Sequence, residues 1–192
     1  VTLGNVGDKV YLRGFNPHGF NYADGWNSEA ITSFFMSGQV AASGSVMSLV
    51  DGLGVSDSIP CEKCFSNLFC GCNALTKAPE LPATSLMNSC YSYMFVDCSN
   101  LTEAPQLPAT ELKESCYQGM FQICTSLKVP PVLPALKLAP NCYAMMFFGC
   151  SALEKTPELP ATELTDQCYY GMFNECVALT EMPDLPATHL AP

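Results

Sequence analysis

Charge is scarce in this chain of 192 residues: only 14% of it is charged, with 8 lysines and arginines against 18 aspartates and glutamates. The resulting net charge of −10 repels phosphate backbones, so no nucleic acid partner is expected. The same repulsion opposes docking on an anionic membrane. No apolar run approaches the ~20 residues that span a bilayer, so no direct membrane insertion is expected of this segment. A signal peptide's charged, apolar and small-residue succession is also missing. Because the chain opens on Val1 rather than Met, we expect that an N-terminal piece has been removed. Histidine is limited to His18 and His189. Neither belongs to an H-E-x-x-H pattern, and no G-x-S-x-G or P-loop sequence occurs. These absences leave no catalytic residue, metal site or cofactor to assign, and a non-enzymatic protein is expected.

What the chain has is apolar residues (48%) and cysteine (12 residues). That composition is too apolar for disorder. The cysteines keep a strict period: Cys64, Cys90, Cys116, Cys142 and Cys168 are 26 apart, and Cys72, Cys98, Cys124, Cys150 and Cys176 follow each by eight. All five copies obey C-[YF]-x-x-[ML]-F-x-x-C-x-x-L-x-x-x-P-x-L-P-A-x-x-L. A period in this range marks a stacked repeat architecture.

Two periodicities sit inside the unit. Leu112, Cys116, Met120 and Cys124 are spaced by four, with Phe121 beside them. This predicts a short helix near 111–123 and at the equivalent places, and Pro140 suits the first turn of one. The K-V-P-P-V-L-P segment after it is extended but only a short strand, because proline cannot donate to a ladder. One unit cannot bury both its apolar faces, and stacking copies does so. The expected fold is therefore an α/β solenoid, a leucine-rich-repeat-like stack of five 26-residue units, each a short helix plus a short strand.

Residues 1–60 lie outside the period. K-V-Y-L-R-G alternates as a strand does, the stretch from Phe34 to Val50 reads as strands joined by glycine turns, and Phe15 to Trp26 reads as a loop. This region is expected to be a β-rich N-terminal cap on the first unit, with an independent domain as the alternative. Residues 61–192 are the repeat domain. It stops inside the fifth copy, so its C-terminal end is expected to be truncated.

The run M-F-x-x-C-x-x-L-x-x-x-P-x-L-P resembles the A-F-x-x-C-x-x-L-x-x-[VI]-x-[IL]-P unit of BspA-like leucine-rich repeats. The first cysteine of each unit stands where that family has isoleucine. The variant C-Y-x-x-M-F-x-x-C-x-x-L-T-x-A-P-x-L-P-A-T looks like one in surface proteins of Gram-negative gut anaerobes and in some phage-associated proteins. K-V-Y-L-R-G and S-G-S-V-M-S-L-V look like the segment before those repeats. The resemblance implies secretion or bacterial surface exposure, and adhesion or recognition of a host or neighbouring-cell protein or glycan. The alternative is a structural spacer or a phage virion or tail-associated component without a specific ligand.

Ten cysteines are repeat positions and read as buried free thiols, a core ladder. On helices they would stand too far apart to bridge. Cys61 and Cys70 have no counterparts in other units and are the candidate disulfide, from cap to first unit. Cys61, Cys64, Cys70 and Cys72 together superficially suggest zinc, but the repeat already accounts for Cys64 and Cys72. Candidate binding residues are those that change within the fixed frame: Lys77, Glu103, Val129, Lys155 and Glu181 in one column, and Glu80, Gln106, Val132, Glu158 and Asp184 in another. Such columns either read a ligand or vary because nothing constrains them. Tyr91, Tyr117, Tyr143 and Tyr169, with Phe65 in the first unit, form an aromatic row open to the same two readings: packing, or contact with a glycan or protein.

Overall fold

The computed structural model describes residue 5, residues 7–20 and residues 32–188. The part of the expected loop at 21–31, with Trp26, and His189 lie outside the described residues. The 26-residue units stack on one another, and the segment that carries C-[YF]-x-x-[ML]-F-x-x-C shows why.

This segment is not the expected helix. In the first unit the amides of Ser66, Leu68, Cys70 and Cys72 donate to the carbonyls three residues back, those of Lys63, Phe65, Asn67 and Phe69, at 2.9–3.2 Å. The alternate amides of Phe65, Asn67, Phe69 and Gly71 donate outward, to the carbonyls of Cys90, Ser92, Met94 and Val96 in the next unit, at 2.8–3.0 Å. Every fourth residue is left-handed: Lys63, Asn67 and Gly71, then Ser89, Tyr93 and Asp97, and so on to Gln167, Gly171 and Glu175. The segment is thus a ribbon of overlapping turns with a period of four. An α-helix spends its interior amides on its own i−4 carbonyls, whereas this ribbon frees every second amide to join neighbouring units. The spacing of Leu112, Cys116, Met120 and Cys124 was the right observation read with the wrong period: four, not 3.6.

The remainder of each unit is extended but scarcely ladder-forming. Strand β1 (Val40–Ala41) pairs in parallel with strand β2 (Leu75–Lys77). Elsewhere among the described residues of the repeat units only isolated parallel bridges form, such as Glu103 with Val129 and Glu111 with Lys137. The prolines limit them by removing amide donors.

The core is a set of columns running along the stack. Phe20, Phe65, Tyr91, Tyr117, Tyr143 and Tyr169 stack ring on ring with centroids 5.6–6.1 Å apart. Phe34, Phe69, Phe95, Phe121, Phe147 and Phe173 form a parallel column at 5.1–5.8 Å. Offset stacking of this kind adds about 0.5–1.5 kcal/mol per pair beyond area burial.

The N-terminal segment joins these columns. Phe20 and Phe34 donate their amides to Cys64 and Leu68 as Phe65 and Phe69 do to the following unit, so they act as an irregular coil ahead of the first. The register offset is 45 residues at Phe20–Phe65, 35 at Phe34–Phe69 and at Ser45–Glu80, and 27 at Ser58–Ser85. Extra residues therefore enter between Phe20 and Phe34 and between Ser45 and Ser58, the latter holding helix α1 (Ser48–Asp51). The expectation of several strands here is corrected: among the described residues the segment has β1 as its one strand, and Lys9–Gly14 forms none, although it leads into an isolated antiparallel bridge between Phe15 and Asp51.

Candidate functional site

The ten variable positions are all exposed: Lys77, Glu103, Val129, Lys155 and Glu181, and Glu80, Gln106, Val132, Glu158 and Asp184. Immediately after the second column come residues that the core fixes, Leu81, Leu107, Leu133 and Leu159, each buried. The Glu103–Val129 bridge sets successive members of the first column on adjacent strands, a spacing of about 4.8 Å. Lys77, Glu80 and Gln106 line one shallow open groove floored by Pro79, Pro82, Pro105 and Pro108. Prolines keep this trough stiff and leave its carbonyls without competing donors from their own residues. At mid-stack Val129 and Val132 are 55% and 66% exposed, an apolar step between the polar Glu103 and Gln106 on one side and Lys155 and Glu158 on the other. An exposed ion pair, Glu111 with Lys137 at 3.3 Å, lies farther along the unit.

The tyrosine row is not a contact surface. Tyr91, Tyr117 and Tyr143 are buried to within 2%, and the packing reading holds for them. Burial pushes the Tyr91 and Tyr117 hydroxyls well above the usual phenol range, and the nearby Cys90 and Cys116 thiols push the same way.

The thiols are all free. In the second column the side chains of Cys72, Cys98, Cys124, Cys150 and Cys176 donate to the carbonyls of Phe34, Phe69, Phe95, Phe121 and Phe147, one unit earlier, at 3.0–3.2 Å. Cysteine fits because it is a small hydrophobe that still carries a weak donor. Burial pushes Cys90, Cys142 and Cys150 up to about 12, so they stay protonated and poorly nucleophilic at neutral pH. Their separation is set by strand-like stacking rather than by helix packing, which corrects the helical distances expected from the sequence. Cys61 and Cys70, the suggested bridge, are both free in this structure; Cys61 lies with Cys64 under Gly19, while Cys70 lies near Asp97 and Cys72. Among the described residues no group of three or more His, Cys, Asp and Glu side chains could hold a metal ion, and no helix is long and apolar enough to cross a membrane. His18 is exposed.

One further surface escaped sequence reasoning. In the fourth unit Asn141, Tyr143, Met145, Phe147 and Gly149 donate to the fifth. The equivalent amides of the fifth, Gln167, Tyr169, Gly171, Phe173 and Glu175, meet no backbone acceptor among the described residues. The rings of Tyr169 and Phe173 in this unit are half-buried. No family model, curated protein or solved structure matches this chain.

Proposed function

We propose that this protein is an extracellular or bacterial cell-surface recognition module of the BspA-like leucine-rich-repeat kind. In this reading the stack is a solenoid with turn ribbons in place of helices, and it binds a host or neighbouring-cell protein or glycan without catalysing a reaction. One observation carries the reading: two columns of freely varying side chains stand exposed on a frame of recurring aromatic, cysteine and leucine positions that are mostly buried. Such a frame holds a contact surface rigid before the partner arrives, which lowers the ordering cost of binding. The groove bounded by Lys77, Glu80 and Gln106 supplies a stiff concave track with both charge signs, suited to an extended polar ligand.

A structural spacer or virion or tail-associated component without a specific ligand is the second reading, and the head-to-tail backbone bonding of each unit to the next favours it.

The two separate on a binding panel of glycans and host-matrix proteins, read by biolayer interferometry. The recognition reading expects saturable binding that Glu103→Ala with Gln106→Ala weakens at least about tenfold, with an unchanged melting temperature. Each exposed side chain removed at a contact costs about 1 kcal/mol. Absence of saturable binding contradicts that reading and leaves the spacer. Unchanged affinity in the double variant rules out this face.

A further inference from the structure

Gly19 is buried and has φ +69°, where the chain passes over the entry to the first unit. It closes a turn with Asn16, whose carbonyl accepts the Gly19 amide at 3.0 Å and whose side-chain amide donates to the Gly19 carbonyl at 2.6 Å. The next residue, Phe20, is tied to the Cys64 carbonyl at 2.9 Å. A Cβ on Gly19 would stand 2.8 Å from the Cys61 sulfur and 3.0 Å from the Cys64 sulfur. Both sulfurs therefore lie about 3 Å from a single point, held under the same strap. They belong to one C-x-x-C sequence, Cys61-Glu-Lys-Cys64, and each side chain lies close enough to shift the other's ionisation.

We propose that Cys61 and Cys64 are a reversible dithiol–disulfide pair, oxidised by thiol–disulfide exchange with a low-molecular-weight disulfide. The remaining repeat thiols are placed otherwise. Those of the second column are committed to backbone carbonyls, and those of the first column beyond Cys64 are enclosed by neighbouring units. Cys61 is only half-buried, whereas Cys64 is 0% exposed, which fixes the order of events. Burial raises the Cys61 thiol, and the neighbouring Cys64 side chain only partly offsets this. It is therefore the minor thiolate fraction of this more accessible cysteine that attacks one sulfur of the small disulfide and expels one thiolate. Cys64 then loses its proton and attacks the Cys61 sulfur of the mixed disulfide. This forms the Cys61–Cys64 bond and releases the second small thiol. One small disulfide is reduced to two thiols and two protein thiols are oxidised, so electrons and protons balance. Bonding the sulfurs brings them to about 2.05 Å, which tightens the first unit beneath the Gly19 strap.

The test equilibrates the native protein with oxidised and reduced glutathione over a range of ratios. Thiols are then trapped under denaturation, counted, and mapped by non-reducing peptide mass spectrometry. The expected result is that two of the twelve thiols disappear first, as a Cys61–Cys64 bridge. Cys61→Ser, at a half-exposed site that holds methionine, lysine, alanine or threonine in the other units, should abolish this loss, and Cys70→Ser should leave it unchanged. Retention of all twelve thiols in a hundredfold excess of oxidised glutathione overturns the proposal. So does a first bridge between any other pair, or persistence of the loss in Cys61→Ser.

Discussion

Ile123 has a φ of +60°, a conformation that costs an L-residue about 1–2 kcal/mol and a β-branched one most of all. Its counterparts one and two units away are Asp97, Gly71 and Gly149, together with Glu175. The preceding left-handed column reads Asn67, Tyr93, Gly119, Met145 and Gly171. Glycine, asparagine and aspartate fill about half of the left-handed positions, a turn-ribbon signal that the stronger apolar spacing hides. Gly119 shows a second constraint, since a Cβ there would fall 2.4 Å from the Tyr93 ring. Ile123 is 41% exposed, so little burial is lost when it is replaced. Ile123→Asn is therefore expected to stabilise the protein by about 1 kcal/mol, read as a higher urea midpoint at constant slope. A lower midpoint would show that the side chain's packing outweighs its backbone strain.

At the scale of elements, the repeat boundaries and the extended, proline-broken segment were legible because their residues have few alternatives. The ribbon was not, because apolar residues four apart serve a helix or a turn ribbon equally well. Only the inter-unit hydrogen bonds decide between them. The irregular first coil was hidden for another reason: its insertions destroy the 26-residue register that reveals the other units.

Helix α1 within that coil ends at Gly52, with φ +73°. Its last residue, Asp51, accepts hydrogen bonds from the amides of Leu53, Gly54, Val55 and Ser56. Burial would push this carboxyl up, but the four donors outweigh it and hold it below its ordinary value of 3.8. A carboxylate depressed by folding contributes stability that is present above its unfolded value and lost as pH falls through its folded value. Asp51→Asn should therefore melt at a lower temperature than the parent near pH 7. The gap should close as pH is lowered below about 4. A gap that is constant with pH would show that the charge plays no part in holding the 53–56 turn.

For the whole molecule, the account's central claim is that the stack is polar, with alternate ribbon amides all pointing toward the following unit. Thiols of the second cysteine column point the opposite way, to the carbonyls of the preceding unit. Each unit is thereby bonded to both neighbours, while its own turns hold the remaining amides.

Amide hydrogen exchange followed residue by residue by NMR tests this claim most directly. In the fourth unit Tyr143, Met145, Phe147 and Gly149 should be as protected as their even-numbered neighbours, since both sets are bonded. In the fifth unit protection should alternate. Tyr170, Met172, Asn174 and Cys176 should exchange slowly, because they donate to carbonyls three residues back. Tyr169, Gly171, Phe173 and Glu175 should exchange at least about tenfold faster, because the free energy of a backbone hydrogen bond near 1 kcal/mol or more is missing. Uniform protection along 168–176, as a continuous i−4 helix would give, would contradict the account.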